Sequence, residues 1–214
     1  MQNLKRVEIE VPADKADVIE EFNEALKESV AETSEEFMEK FFGGEELTND
    51  EIKVAIRKGC LARAITPAFC GSAFKDKGVQ PLLDAVCDYL PSPIDTGAAV
   101  SADDPSQKRE PNDNEPFCGL AFKIMSDKAM GKITFVRVYS GTLKLGGELL
   151  DSTINQEQRI SRLFRMHANK QEALEEAQAG DIVACVGLTQ TRTGDTLCDP
   201  EHPITLESID FPAP

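Results

Sequence analysis

The sequence has no tryptophan, and its 214 residues include only two histidines and two tyrosines. His167 and His202 have no Ser or Cys nucleophile arranged near them, so there is no hydrolase triad to argue from, and we expect no catalytic residue in this chain. No apolar run approaches the roughly 18 residues needed to span a bilayer. The polar start MQNLKRVEIE is not a signal peptide. We therefore predict a cytoplasmic protein with no membrane partner.

Metal-binding patterns are also missing. The six cysteines are scattered without a C-x-x-C pair, and two histidines are too few to complete a metal site. Most of the cysteines lie among apolar neighbours, so we interpret them as small buried hydrophobic side chains and predict no metal. They are Cys60, Cys70, Cys87, Cys118, Cys185 and Cys198.

The charge of the chain is strongly acidic but unevenly distributed. A net charge of -15 argues against unspecific nucleic-acid binding by the chain as a whole. Residues 117–170, in contrast, contain nine basic side chains and four acidic ones. This stretch can therefore meet an anionic partner although the whole chain is acidic.

A proline-rich segment divides the chain into two halves. Residues 91–116 contain five of the twelve prolines and almost no large apolar residue. Such a composition is unsuited to a strand ladder or a core, so residues 93–116 are predicted to be a linker between a first region, 1–92, and a second that begins at 117.

The first half shows helical periodicity. One apolar stripe follows a plausible cap at Asp14, and Gly43 is expected to end its continuation. Glu36 three residues after Thr33, and Glu51 three residues after Thr48, each predict a capping box. The predicted inner faces consist of Val18, Ile19, Phe22, Leu26 and Val30, then Phe37, Met38, Phe41 and Phe42, then Ile52, Ala55 and Ile56.

An apolar strand is predicted at 65–70, followed by a tight turn and a helix that begins near Gly78. This order of elements indicates one unit of an α/β sheet, although a single unit is an incomplete sheet. The helix is expected to bury Val79, Leu82, Leu83, Val86 and Leu90.

The second half changes to the pattern of an all-β barrel. Segments rich in β-branched and aromatic residues, such as KITFVRVYSG and DIVACVGL, are separated by turns that contain glycine. About six or seven short strands are expected, which is typical of a small closed barrel.

A phosphate-binding loop is missing from the sequence. The motif G-x-x-x-x-G-K-[ST] is approached only at Gly131 and Lys132, where Ser126 and Ile133 replace the first glycine and the hydroxyl residue. The sequence NKQE at 169–172 is similar to a guanine-reading Asn-Lys-x-Asp motif. It ends in glutamate and lies in the β-rich half, so we interpret it as a polar turn between strands.

Several stretches together closely resemble the bacterial translation elongation factor G family. The resemblance runs over nearly the whole chain and is clearest from Thr48 onward. It rests on CGSAFKDKGVQPLLDAVCDYLPSP (70–93), AFKIMSD (121–127), GKITFVRVYSGTLKLGGELL (131–150), RMHANK (165–170) and AGDIVACVGLTQTRTGDTLCD (179–199).

The resemblance implies that the chain is an excerpt. Residues 1–92 then form the last part of a GTP-binding domain with the end of its inserted subdomain, residues 117–207 the second-domain β-barrel, and residues 208–214, with DFPAP, the junction toward a third domain. The phosphate loop and switch segments are expected before residue 1, and three later domains after residue 214.

The resemblance also implies a guanine-contacting loop at Cys70–Phe74. Gly71 allows the sharp turn, Ser72 braces the loop through its hydroxyl, the N–H of Ala73 donates to the guanine O6, and Phe74 flanks the base. The intact protein is expected to be a GTPase that binds GTP with Mg²⁺, hydrolyses it on the ribosome and also binds GDP. This chain alone is expected to hold no nucleotide and to hydrolyse none, since one contact to a base edge supplies little binding energy.

For the barrel, the resemblance implies contact with small-subunit ribosomal RNA and ribosomal proteins. The parent would be the GTP-dependent translocase that moves tRNA and mRNA through the ribosome. Two alternatives remain open: a paralogous translational GTPase of ribosome protection, recycling or release, and a free-standing barrel that binds RNA or protein. The basic residues expected to meet phosphates are Lys132, Arg137, Arg162, Arg165 and Lys170.

Overall fold

The computed structural model describes residues 10–168 and 170–209. The chain divides into two compact units, Met1–Pro91 and Ser92–Pro214, and each has its own buried cluster of apolar side chains. Within the described ranges, no helix combines the length and the apolar composition needed to cross a membrane.

The first unit is helical. A 3-10 turn at Ala13–Lys15 leads into the first helix, and a second 3-10 turn at Ala73–Lys75 precedes the last one. The helices of residues 10–91 are α1 (Ala16–Ala31), α2 (Glu35–Phe42), α3 (Asn49–Leu61) and α4 (Val79–Tyr89).

The helix boundaries confirm some of the predicted caps and correct others. Thr48 and Glu51 form the predicted capping box of α3, with both reciprocal hydrogen bonds present, and α2 ends before Gly43. The cap of α2 is Ser34, whereas the hydroxyl of Thr33 donates to the carbonyl of Val30. The expected cap at Asp14 was also wrong, because Asp14 lies inside the first 3-10 turn.

The core of the first unit lies where the end of α1 meets α2 and α3. Its buried cluster joins Val30, Phe37, Leu47, Ile52 and Ala55. The inner face predicted for α3 is therefore confirmed at Ile52 and Ala55, and Ile56 packs against the same cluster.

The predicted apolar faces of α1 and α4 are largely exposed. On α1 only Val30 of the predicted stripe is buried, while Phe22 is 69% exposed. On α4 the buried side chains are Ala85 and Tyr89, and Leu83 is 60% exposed. Helical periodicity thus located the helices, but it did not show which faces the first unit covers.

The α/β expectation for the first half holds only for its helices, and the strand predicted at 65–70 was wrong. Residues 65–70 form no strand, and the β-type pairing described in residues 10–91 is one isolated bridge between Ser72 and Lys77. A strand needs a neighbouring strand to receive its backbone hydrogen bonds, and no other part of residues 10–91 adopts one.

The segment predicted to be a linker is ordered against the second unit. It contains α5 (Pro93–Thr96) and two strands, β1 (Ala99–Val100) and β2 (Lys108–Arg109), which pair antiparallel. Our expectation that this segment forms no ladder was wrong. A residue remote in sequence stabilises this segment, because the N–H of Ala102 donates to the carbonyl of Thr205 over 2.8 Å.

The rest of the second unit is antiparallel β-structure with more strands than we expected. The main sheet has eight strands in the order β7-β6-β12-β3-β4-β11-β8-β9, and β5 pairs with β10. The strands are β3 (Cys118–Asp127), β4 (Gly131–Ser140), β5 (Leu143–Lys144), β6 (Glu148–Asp151), β7 (Gln156–Arg159), β8 (Arg162–His167), β9 (Lys170–Ala173), β10 (Glu176–Ala177), β11 (Ile182–Val186) and β12 (Thr196–Cys198).

This sheet curves around one core. Leu149 on β6 and Leu163 on β8, which are far apart in the strand order, belong to the same buried cluster as Val136 and Val138 on β4. Irregular register between Ala121 and Lys123 helps β3 to bend. The arrangement agrees with the predicted barrel.

The prediction of buried cysteines was right for three of the six. Cys118, Cys185 and Cys198 are buried and Cys60 is partly buried. Cys70 and Cys87 are exposed, since they lie on the first unit beside the apolar residues that it leaves uncovered.

Candidate functional site

The loop predicted to contact guanine closes on itself. The N–H of Ser72 donates to the carbonyl of Lys77 over 2.9 Å, and the N–H of Lys77 donates back to the carbonyl of Ser72 over 3.1 Å. Between these two residues the chain makes the short 3-10 turn. The N–H of Lys75 closes this turn by donating to the same carbonyl of Ser72. Within the described residues, the Ser72 hydroxyl accepts no bond from the amides of this turn. The bracing expected from its hydroxyl is supplied by its backbone.

Gly78 fixes the exit of this loop. Its φ is +75°, and a Cβ atom there would lie 2.8 Å from the carbonyl oxygen of Cys70 and 3.1 Å from the Cα of Gly71. Such a contact with backbone atoms is too short for any side chain, so a glycine is required. The carbonyl of Gly78 then accepts the N–H of Leu82 and starts α4.

The side chains of the loop present a small apolar surface. Ala73 is exposed, and Phe74 is fully exposed. Ala73 is the first residue of the 3-10 turn. The first backbone N–H groups of a helical segment have no partner within that segment and point outward from its end. A planar base can therefore approach the backbone without meeting a large side chain at Ala73.

Lys132 has a structural role in the barrel. Its ammonium group donates to the carbonyl of Thr189 over 2.9 Å and to that of Thr191 over 2.6 Å. These contacts connect the start of β4 to the loop after β11. Sequence reasoning grouped Lys132 with the other basic residues because the two carbonyls are far away along the chain.

Arg165 is also engaged by neighbours. Its guanidinium lies 3.7 Å from Asp181 and 4.0 Å from Glu172. Arg162 and Lys170 are exposed at the starts of β8 and β9. The predicted basic residues therefore differ in how accessible their charge is to a partner. The charges of Arg162 and Lys170 are more accessible than that of Arg165, which lies beside two carboxylates.

All five predicted basic residues lie on neighbouring strands. Strands β4, β11, β8 and β9 follow one another in the sheet. Side chains alternate between the two faces of a strand, and Val136 and Leu163 face the core. Arg137 and Arg162, next to them in sequence, therefore face outward.

The same outer face carries aromatic rings that sequence reasoning did not select. Phe135 and Phe164 both lie opposite Ala184 in the ladder, and Ala184 is completely buried although it faces outward. The ring of Phe122 lies 6.3 Å from that of Phe135. The sequence pattern that could have revealed this face is the alternation of Phe135, Arg137 and Tyr139 with buried residues along β4.

Cations lie directly over this aromatic surface. The ammonium of Lys123 is 5.8 Å from the centre of the Phe135 ring, and the guanidinium of Arg137 is 5.1 Å from that of Tyr139. Aromatic rings and guanidinium planes stack on unpaired bases, and the adjacent charges attract phosphates. We call this surface, formed by Phe122, Lys123, Phe135, Arg137, Tyr139, Arg162 and Phe164, the outer aromatic face.

An acidic cleft lies elsewhere in the second unit. It has a volume of about 530 Å³, and its carboxylates outnumber its one lysine, Lys144. Such a lining repels the phosphates of a nucleotide. The carboxylates are Asp113, Glu115, Glu148, Glu176 and Asp199.

Two earlier expectations lie partly outside the described residues. Asn169, the first residue of NKQE, is one of the positions that the structure does not describe. The other three residues lie on β9, so the prediction of a polar turn was wrong for them. The segment DFPAP at 210–214 also lies outside the described residues. In the described part of the chain, no group of three or more His, Cys, Asp or Glu side chains is arranged to hold a metal ion.

Comparison with known proteins gives two similarities. Residues 131–198 match the model of Elongation factor Tu domain 2, which is less than half of the chain. A crystal structure of a protein from Thermus thermophilus is similar with a TM-score of 0.71 and 26% sequence identity over 95% of this chain. This chain spans 28% of the length of that protein.

These similarities agree with the curved antiparallel sheet and extend over both units. They do not distinguish elongation factor G from other proteins that contain such a domain. Residues 131–198 are thus similar to the second domain of elongation factor Tu, and the likeness to the Thermus thermophilus protein covers most of this chain.

Proposed function

We propose that this chain is part of a cytoplasmic elongation factor G, the GTP-dependent translocase of the ribosome. In this proposal residues 1–92 belong to the GTP-binding domain, residues 93–116 connect it to the barrel at 117–207, and residues 208–214 lead toward a third domain. The observation that carries the proposal is the match of residues 131–198 to Elongation factor Tu domain 2, together with a structural likeness that includes the first unit.

The first unit supports a role as part of a larger domain. A helix that packs against a sheet has an apolar face. On α4 such a face consists of Leu82, Leu83 and Val86, all of which are exposed, and the exposed Leu90 follows the helix. The loop at 71–74 is separated by four residues from the start of this helix. We propose that Gly71, Ser72, Ala73 and Phe74 contact the guanine base of GTP, whose phosphates and Mg²⁺ are held by other parts of the parent protein.

The barrel supplies a docking surface. We propose that the outer aromatic face contacts small-subunit ribosomal RNA, with Arg162 and Arg137 near phosphates. The paired Arg165 and the carbonyl-bound Lys132 act mainly within the barrel, and Lys170 lies at its exposed edge. The barrel then transmits the state of the GTP-binding domain to the ribosome and performs no chemistry itself.

The RNA contact is tested by titrating this chain with small-subunit ribosomal RNA at several salt concentrations. The logarithm of the association constant should fall with the logarithm of the salt concentration, and Arg162→Ala should reduce this slope by about 0.7 to 0.9 for one lost phosphate contact. Arg165→Ala is the matched control, because its guanidinium already faces Asp181 and Glu172. An unchanged slope for Arg162→Ala would contradict the proposed face.

The expected inactivity of this chain is tested by nucleotide binding, and its assignment to a GTPase is tested by the surrounding reading frame. Without phosphate contacts, this chain should show no micromolar affinity for GTP by calorimetry and no GTP hydrolysis. The reading frame around the sequence should encode a phosphate loop upstream and further domains downstream. A reading frame limited to these 214 residues would overturn the proposal. Downstream domains of a recycling or ribosome-protection factor would favour the paralogue over the translocase.

A further inference from the structure

Two buried cysteines face each other across neighbouring strands. Cys118 on β3 lies directly opposite Cys198 on β12. The N–H of Asp199 donates to the carbonyl of Phe117 over 3.0 Å, and the N–H of Ala121 donates to that of Asp195 over 2.9 Å. Opposite residues in an antiparallel ladder alternate between hydrogen-bonded and non-hydrogen-bonded pairs. The two cysteines are therefore a non-hydrogen-bonded pair.

This type of pair has the geometry that a disulfide requires. Directly opposite side chains point to the same face of the sheet, and Cα atoms in a non-hydrogen-bonded pair are about 4.5 Å apart. Disulfide-linked residues have Cα separations of roughly 4.4 to 6.8 Å. The third buried thiol, Cys185, lies opposite Leu163 and Thr134 instead, so it has no such partner.

The pair lies on the outside of the barrel wall. Its neighbours in sequence, Phe117 and Leu197, belong to the inner core, whereas Cys118 and Cys198 form a separate cluster with Ile204 and Leu206. Ala99, Tyr139 and Leu150 pack against that cluster. The two sulfur atoms are therefore shielded by the segments at 99–109 and 202–206, and the inner core need not open to expose them.

A small number of polar contacts hold this cover. The N–H of Leu206 donates to the hydroxyl of Thr196 over 3.0 Å, and Arg109 donates to the carbonyl of His202 over 3.1 Å. Short segments held by a few hydrogen bonds open at a lower free energy than the sheet beneath them. The cover therefore controls access to the cysteine pair.

We propose that Cys118 and Cys198 form a cross-strand disulfide when a peroxide reaches them beneath the lifted cover. One thiolate attacks the peroxide oxygen, which breaks the O–O bond, releases hydroxide and leaves a sulfenic acid. The second sulfur then attacks the first and displaces hydroxide. Two thiols and one hydrogen peroxide give one disulfide and two water molecules, so two sulfurs are oxidised and the peroxide is reduced.

The closed structure makes this reaction slow. Burial raises the pKa of the Cys118 thiol to about 12, so the reactive thiolate is scarce while the cover is in place. The exposed Cys70 and Cys87 should therefore react earlier. Once formed, the bond joins β3 to β12, and residues 119–197 become a covalently closed loop.

The test treats the native chain with hydrogen peroxide, blocks the remaining thiols and identifies linked peptides by mass spectrometry. A peptide containing Cys118 should appear joined to one containing Cys198, with the loss of two hydrogen atoms and after the oxidation of Cys70. Cys185 should remain a thiol. If Cys118 and Cys198 remain thiols after Cys70 and Cys87 are fully oxidised, or if either links to another cysteine, the proposal is overturned.

A pair of variants tests the cover. Thr196→Val removes the acceptor of the Leu206 N–H and should speed formation of the cross-link about fivefold, the change that one ordinary hydrogen bond gives in an opening equilibrium. Thr134→Val is the matched control, because the buried Thr134 hydroxyl has no hydrogen-bond partner among the described residues. Equal rates for both variants would overturn the role of the cover, and Cys118→Ala must abolish the cross-link.

Discussion

The side-chain amide of Gln158 donates a hydrogen bond to the hydroxyl of Thr191 over 2.7 Å, and both residues are buried. The carbonyl oxygen of Gln158 accepts the backbone N–H of Gln190 over 3.0 Å. The Gln158 side chain on β7 therefore forms hydrogen bonds with two groups of the loop that follows β11, the hydroxyl of Thr191 and the N–H of Gln190. Lys132 holds the carbonyl side of the same loop, so this connection is fixed by polar contacts on both sides.

Thr191→Val should lower the free energy of unfolding by about 1 to 3 kcal/mol, because the buried Gln158 amide loses its short hydrogen bond while the volume stays nearly the same. Urea unfolding followed by circular dichroism measures the change. Thr134→Val is the control, since its hydroxyl has no partner in the described residues, and it should be neutral or stabilising. Equal losses in both variants would contradict this account.

Lys132→Met should destabilise the chain and leave its RNA affinity nearly unchanged. The ammonium of Lys132 is already bound to the carbonyls of Thr189 and Thr191, and we expect a loss of about 1 to 2 kcal/mol for charge-assisted bonds at a partly exposed site. Urea unfolding and the RNA titration are measured on the same variant. A weaker salt dependence of RNA binding with unchanged stability would show that Lys132 meets a phosphate.

The sequence was sufficient to predict helices and strands where the pattern is local. Thr48 and Glu51 are three residues apart, so their capping box could be recognised directly. The pairing of β1 with β2 and the exposure of Phe22 depend on which distant segments are nearby, and periodicity carries no such information. Hydrophobic spacing shows that a helix has an apolar face, but a partner in space decides whether that face is buried.

In the candidate site too, features set by neighbouring residues in the sequence could be predicted, whereas features set by distant segments could not. A tight turn near Gly71 was expected from the glycines at its two ends, and the conformation that glycine favours is found at Gly78, whose φ is +75°. The engagement of Arg165 by Asp181 and of Lys132 by Thr191 depends on strand order, so the basic residues were indistinguishable in the sequence. Phe135 was overlooked for a related reason, because an aromatic residue beside core positions fits either face until the register is known.

The helix pair α2–α3 should lose stability in acid through Glu51. Its hydrogen bond to Lys40, followed by its bonds to Thr48, lowers the pKa of Glu51 from 4.5 to about 2. A carboxyl group with a lowered pKa in the folded state contributes stability that is complete above its ordinary value and is lost as the pH falls toward 2. Far-UV circular dichroism should show the helices of Glu51→Gln to be less sensitive to pH over this range. An identical acid profile for both proteins would contradict the assignment.

Gly78→Ala tests whether the loop at 71–78 is a preformed structure. Alanine at a φ of +75° costs about 1 to 2 kcal/mol, and its Cβ would also press on the carbonyl of Cys70. The Ser72–Lys77 bridge should open, so the amides of Ser72 and Lys77 should exchange with deuterium faster than in the wild type. Gly44→Ala is the matched control, because Gly44 has a similar φ of +76° with no atom near its Cβ position. Both variants carry a similar backbone strain, so faster exchange at Ser72 and Lys77 in Gly78→Ala alone would show that the loop depends on the glycine at its own exit. The same exchange pattern in both variants would show that the loop does not depend on Gly78.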